Sequence, residues 1–235
     1  MECSVIILAC RARRIVCQAH RSAAQAGGGS LTEHGTGKDS MNLRIEGLVK
    51  QYDGRRVLDG FSAEFPEGKT TAILAPSGAG KTTLLRILCG LERPDAGTIR
   101  GMEGRRLSAV FQEDRLLPDS DAVSNIRLVA PMREEEECRQ LLSALRIPAR
   151  EQRGKPVREF SGGMRRRTAI ARALAVPADL YLFDEPFRGL DEDTKSFAIA
   201  CVREKTREKT VILVTHDERE AAEMDAVQKI GITAR

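Results

Sequence analysis

From residue 42 onward the chain is written in short apolar stretches separated by polar turns. In "LRIEGLV" and again in "RVLDGFSAEF" apolar residues alternate with polar ones. That is the period of a strand with one buried face, and Asp-Gly pairs predict the turns that join such strands. "TTAILA" differs, being a continuous apolar run of the kind a strand buried on both faces requires. "RLSAVF", "ADLYLFD" and "TVILVT" are three more short runs, the last two expected as core strands. "KTTLLRILCGL" has helical spacing and a glycine near its end. Strands of this type separated by helical stretches predict an α/β fold, a parallel sheet with helices on both faces. Residues 121–147 break the alternation, with Pro131 and two helix-like patterns, one of them "REEEECRQLLSALRI", and no core strand. A helical insertion over about residues 113–160 is expected there.

Residues 1–40 read differently, with three cysteines, an arginine cluster and the aperiodic run "AGGGSLTEHGTGKDS". They are expected to be a disordered N-terminal extension or sequence upstream of the true start, with the working domain spanning 41–235. Glu2, rather than a basic cluster, precedes a very short apolar stretch, so no secretory signal is expected. The net charge is only +4 and 31% of the 235 residues are charged. A dedicated nucleic-acid binder carries a larger basic excess, and no nucleic-acid partner is expected. No apolar run approaches the roughly 20 residues of a membrane-spanning helix. The six cysteines form no C-x-x-C pair, which points away from a zinc or redox site.

Three segments carry chemistry. "AILAPSGAGKTTLLRIL", residues 72–88, nearly spells the phosphate loop G-x-x-x-x-G-K-[ST], with Ala75 where the first glycine belongs. Such a loop needs convergent backbone N–H groups, glycines where a Cβ would obstruct approach, and a helix N-terminus behind them. Ser77, Gly78, Ala79, Gly80, Lys81, Thr82 and Thr83 supply these, with Lys81 reaching phosphates and Thr82 placed to ligate Mg²⁺. Ordinary negative φ is expected at Ala75. "DLYLFDEP" ends an apolar strand in two carboxylates, Asp184 and Glu185, at the sheet edge where ligands of open α/β sheets bind. Paired anions there call for a nearby cation, with Asp184 holding Mg²⁺ and Glu185 orienting or deprotonating a water. "EFSGGMRRRTAIARALA" places Ser161, Gly162 and Gly163 at the start of an amphipathic helix, a second anion-binding turn. One triphosphate does not need two such turns from one chain, whereas two copies could share them. Each segment also has a plain structural reading, as a glycine-bearing bend, as carboxylates capping the next helix, or as a serine N-cap.

The order of these motifs resembles the ATP-binding subunit of ABC transporters across nearly all of residues 42–235, most like the nitrate, sulfonate and taurine importers. The resemblance implies a P-loop NTPase of the ABC ATPase fold: a mainly parallel core sheet, an N-terminal antiparallel β subdomain and a helical insertion. It also implies an ATPase using ATP and Mg²⁺, and a homodimer closed head-to-tail by ATP and reopened by hydrolysis. The dimer would sit on the cytoplasmic face of the membrane through an integral permease, with a solute-binding protein as indirect partner. Tyr52 takes the place of the aromatic against adenine, and Gln112 in "VFQEDRLLP" that of the glutamine contacting Mg²⁺ and the attacking water. Glu185 and His216 of "LVTHD" take the catalytic places, and Asp191 of "FDEPFRGLD" meets the opposite subunit. Mg²⁺ falls to Thr82, Gln112 and Asp184.

Plainer roles exist for each: Tyr52 as a surface aromatic, Gln112 as a strand cap, His216 or Asp217 as a helix cap, Asp191 as an N-cap. Arg165 to Arg167 read as a solvated helix face. Phe160, where leucine is common, keeps an apolar anchor, and Arg188 and Gly189 vary a surface turn. A soluble ABC-type ATPase acting on DNA or ribosomes would keep the same nucleotide residues, but usually brings long coiled arms or two cassettes in one chain. A regulatory module that binds ATP without hydrolysing it would need a damaged catalytic set.

Overall fold

In the computed structural model, residues 42–76 and 78–232 are described. The expectations for residues 1–40 and for Ser77 lie outside them. β1 (Leu43–Tyr52) and β2 (Arg55–Phe65) form an antiparallel hairpin. Asp53 (φ 47°) and Gly54 (φ 79°) both take the left-handed backbone that a two-residue turn between twisted strands requires. The second Asp-Gly pair makes no turn. Asp59 and Gly60 (φ 72°) lie inside β2, where the pairing register shifts between Leu48↔Phe61 and Lys50↔Leu58, so the pair forms a bulge. β3 (Thr70–Leu74) follows, then α1 (Lys81–Leu88), β4 (Ala96–Arg100) and β5 (Leu107–Val110). β4 completes a three-stranded antiparallel sheet in the order β2-β1-β4.

Between β5 and the next core strand the chain turns helical: α2 (Ala122–Arg127), α3 (Glu135–Ala144), two 3₁₀ turns at Ala149–Glu151 and Val157–Glu159, and α4 (Gly162–Ala175). β6 (Leu180–Asp184), α5 (Glu192–Lys205), β7 (Thr210–Thr215), α6 (Glu218–Glu223) and β8 (Gln228–Gly231) complete the described chain. The core is a five-stranded sheet in the order β5-β6-β7-β3-β8, parallel throughout. Every residue of β6 and β7 is buried, which is why these strands read as continuous apolar runs.

Two apolar clusters flank this sheet. One joins Val123, Ile126, Leu141 and Leu142 of the helical segment to Ile170 of α4, Phe183 and Phe187. The other joins Leu43, Ile45 and Phe65 of the small sheet to Ile73 and to Leu84, Leu85 and Leu88 of α1. Fully burying side chains of this size stabilises by about 1.5–3 kcal/mol each, so the second cluster fixes α1, and the loop before it, between the two sheets.

Candidate functional site

The loop after β3 and the first turn of α1 sit at the carboxyl edge of the parallel sheet. Ala75 is absent from the residues with positive φ, in line with the negative φ expected, and its methyl is buried within the second cluster. Gly78 and Gly80 have φ of 82° and 87°. Gly80 is required for a further reason that the sequence did not reveal. A Cβ there would lie 2.7 Å from the Val57 carbonyl oxygen and 2.9 Å from Leu58 Cδ2, so glycine lets the loop seat against β2. Gly80 is also the N-cap of α1 and, having no side chain, offers no cap to the first-turn N–H groups of Lys81, Thr82 and Thr83. Ala79 is buried beside them.

Lys81 is buried, and its Nζ donates to the carbonyls of Ala75 (2.5 Å) and Pro76 (3.1 Å). The Thr82 hydroxyl donates to Asp184 Oδ2 at 2.7 Å. Asp184 ends β6 and is 2% exposed; burial, then its neighbour Glu185, push its pKa up despite the Thr82 hydrogen bond. Glu185 is the next residue and takes a left-handed backbone (φ 47°), its N–H donating to the Val214 carbonyl at 2.8 Å. Its buried carboxylate meets three side chains: Lys81 Nζ at 3.8 Å and His216 Nδ1 at 3.7 Å on Oε1, and Arg188 Nη1 at 3.4 Å on Oε2. His216 does not cap α6. Asp217 does, accepting from the Arg219 N–H at 2.8 Å, so the imidazole stays largely exposed toward Glu185.

Tyr52 ends β1, is 38% exposed, and donates its hydroxyl to Glu92. Burial and then Glu92 raise its pKa, and the Thr83 hydroxyl opposes them. Gln112 lies two residues past Val110, whose register partner is Phe183, so it leaves the sheet on the same edge as Glu185. Its side chain is exposed.

A second group involves the start of α4. Ser161 caps α4, accepting from the Met164 N–H at 3.2 Å, while Asp191 caps α5 through Thr194 N–H at 2.9 Å. The Cβ position of Gly163 lies 3.4 Å from Leu190 Cδ2, so the Ser161–Gly163 turn rests against the Leu190–Asp191 segment. Among the described residues no hydrogen bond or ion pair joins this turn to Lys81, Asp184 or Glu185. The carboxylates, Lys81 and His216 are thus joined by direct contacts, and the Ser161–Gly163 turn meets the Leu190–Asp191 segment.

The arginine trio is not a solvated face. Arg166 is 8% exposed; it donates to the carbonyls of Phe111 (2.8 Å) and Gln112 and pairs with Asp114 at 3.2 Å. Arg167 donates to the carbonyls of Leu145 (2.9 Å) and Arg146 (2.6 Å), and Arg165 to that of Phe160 (2.6 Å). Arg172, one turn and a half further on, donates to the Arg115 and Asp114 carbonyls at 2.7 and 3.0 Å. α4 therefore holds the Gln112 segment by its backbone. The only signal in the sequence was the recurrence of arginine on one helix, which does not distinguish solvent from carbonyl partners.

A parallel sheet with a glycine-bearing loop, a buried lysine and paired carboxylates at its carboxyl edge defines a phosphate-loop nucleotide site on the ABC ATPase fold. Residues 58–188, more than half of the chain, match the ABC transporter family, and the chain belongs to it. It is 39% identical over 182 residues to the aliphatic sulfonates import ATP-binding protein SsuB 2 of Streptomyces avermitilis, covering 76% of this chain and 72% of that protein. The sulfate/thiosulfate import ATP-binding protein CysA of Xanthomonas campestris is 35% identical over 205 residues, which cover 78% of this chain and 59% of that longer protein. Among solved structures, a dimeric post-hydrolysis state of the ATP-binding cassette MJ0796 bound to ADP and Pi aligns with TM-score 0.72 at 27% identity, covering 81% of this chain and 94% of that one. An Atm1-family ABC exporter with ATP bound also aligns at TM-score 0.72, with 26% identity, covering 83% of this chain and 37% of that one.

Proposed function

We propose that the chain is the ATP-hydrolysing motor subunit of a bacterial ABC importer, closing head-to-tail as a homodimer around ATP and reopening on hydrolysis. The observation that carries the reading is the meeting of Lys81, the Thr82–Asp184 pair, Glu185 and His216 on one sheet edge. The import proteins among its relatives support the importer class.

The donor set suits Mg²⁺. A hydroxyl and a buried carboxylate already stand 2.7 Å apart, with a second carboxylate, Glu185, next in the chain. Among the described residues no group of three or more His, Cys, Asp or Glu side chains could hold a metal alone. Thr82, Asp184 and Gln112 would therefore hold an ion whose remaining oxygens come from phosphate and water. Bound there, Mg²⁺ neutralises charge on the phosphates.

Lys81 would exchange the Ala75 and Pro76 carbonyls for phosphate oxygens, while the first-turn N–H groups of α1 face the same anion. Thr83 donates toward the α-phosphate, and Tyr52 offers its ring to adenine. Glu185 orients a water and accepts its proton; His216 donates to the γ-phosphate. Ser161, Gly162, Gly163 and Asp191 serve the nucleotide of the opposite subunit, with Ser77 completing the loop. Among the described residues no helix is long and apolar enough to cross a membrane. Coupling is assigned to an integral permease, whose cytoplasmic helix docks between the Gln112 segment and the helical insertion, and indirectly to a solute-binding protein.

The test is Glu185→Gln, measured by steady-state ATPase assay and by size-exclusion chromatography with ATP. Loss of a positioned general base commonly costs about 10²- to 10⁴-fold in rate, and an ATP-trapped dimer is expected. Brisk turnover with no stable dimer would remove Glu185 from the role. Co-purification of a permease with the chain tests the transport assignment.

A further inference from the structure

Arg188 makes a contact that the sequence gives no reason to expect. The Glu185 carboxylate is nearly enclosed, and its two oxygens have different partners. Oε1 faces Lys81 and His216, at 3.8 and 3.7 Å; among the described residues Oε2 pairs with Arg188 alone, at 3.4 Å. Under the proposed function Lys81 and His216 are both drawn to phosphate oxygens when nucleotide binds. Arg188 is not. It belongs to the same short turn as Glu185, closed by the Arg188 N–H on the Glu185 carbonyl at 3.3 Å and anchored by Phe187, which is 0% exposed. The left-handed backbone at Glu185 further fixes where its side chain leaves the sheet. An acid held by one oxygen keeps the other as a free acceptor in a defined direction, whereas an unanchored carboxylate rotates about its broad terminal torsion.

We propose that Arg188 is a positioning residue for the general base: it holds Oε2 of Glu185 so that Oε1 stays directed at the space between Lys81 and His216, where the water must attack. This rests on Glu185 being the base. The arginine head is about half exposed, so solvent weakens the pair. The expected effect is accordingly a fall in kcat of about two- to five-fold for Arg188→Ala, with KM for ATP unchanged.

The experiment compares the intact chain with Arg188→Ala, Arg188→Lys, Glu185→Gln and the Glu185→Gln/Arg188→Ala double variant, reading kcat, KM and thermal unfolding. Support requires four results together: lower kcat at constant KM, an unfolding midpoint within about 2 °C of the parent, partial recovery by lysine, and no further loss in the Glu185→Gln background. Unchanged kcat in Arg188→Ala, a rise in KM alone, or an equal loss in both backgrounds overturns it. If Arg188→Ala does not fold, Arg188→Lys and Arg188→Met carry the same comparison. Normal turnover by Glu185→Gln would instead sink the assignment of the base, and the positioning role with it.

Discussion

Replacing Arg166 by methionine should be among the most damaging single changes outside the loop itself. The side chain is 10% exposed and engages the Phe111 carbonyl at 2.8 Å, the Gln112 carbonyl, and Asp114 Oδ1 at 3.2 Å. Methionine keeps much of the apolar stem and removes all three polar contacts. Breaking a buried ion pair by removing one partner typically costs 3–5 kcal/mol, and each buried acceptor left unsatisfied about 1–3 kcal/mol. Asp114 is 21% exposed and can recover some water, which lowers the total, so we expect a loss of about 2–4 kcal/mol. Urea unfolding should show a lower midpoint with unchanged slope. The loss should also depend on pH. Burial already raises the pKa of Asp114, and Arg166 is the largest opposing influence, so its removal raises that pKa further. A carboxyl whose folded pKa lies above its unfolded value binds more protons when folded, and stability then falls as pH rises through that interval. The variant should therefore be closer to the parent at pH 5 than at pH 8, and Asp114→Asn should restore about 1 kcal/mol in the variant background. A total loss below about 0.5 kcal/mol, or one independent of pH, would refute the assignment of this arginine as the tie between α4 and the Gln112 segment.

Ala75→Gly removes a buried methyl at negative φ, so it should destabilise by about 1 kcal/mol and leave ATP affinity within about two-fold; a large gain in affinity by calorimetry would show that the loop needs glycine there. Gly80→Ala places a Cβ 2.7 Å from the Val57 carbonyl oxygen at φ 87°, and thermal unfolding should register a loss of about 2–4 kcal/mol. Asp121→Ala removes the α2 cap on the Ser124 N–H (2.7 Å) and the bond from the Gly154 N–H (2.9 Å), for about 2 kcal/mol at pH 7. Burial raises the Asp121 pKa, but those amides and Arg153 outweigh it and leave it lowered. Its advantage is therefore present above the usual carboxylate range and should vanish as pH falls through the lowered value; a constant difference down to pH 2 would contradict this.

The parallel sheet was legible because β3, β6 and β7 are covered on both faces, and burial on both faces demands uninterrupted apolar residues. β4 and β8 were not anticipated. They are edge strands with no fully buried position, so nothing obliges them to carry a pattern; β4 has a single long apolar side chain, Ile99. The second Asp-Gly pair misled for a related reason: the same two residues suit a tight turn and a bulge, and only the partner strand decides. Candidate residues were easiest to name where residue type alone suggests a role, as at Lys81, Thr82 and the Asp184–Glu185 pair, and these side chains do meet on one sheet edge. What failed was the inference from charge to solvent. Arg165, Arg166 and Arg167 find their partners among carbonyls of irregular backbone, and every residue carries a carbonyl, so composition gives no warning.

The same dependence on backbone acceptors answers the question raised by the alanine in the phosphate loop. Three polar side chains of the site have partners within it: Lys81 donates to the Ala75 and Pro76 carbonyls, Thr82 to Asp184, and Arg188 to Glu185. For these side chains nucleotide binding would exchange one set of partners for another, and the net gain is smaller than the gross interactions suggest. What position 75 contributes to that exchange is a carbonyl oxygen that holds Lys81 in reserve, together with a small side chain that fits the core beneath the loop. Glycine and alanine supply the same carbonyl. With φ negative there, alanine supplies it at no conformational cost and adds a buried methyl, so the departure from the usual loop removes no polar group.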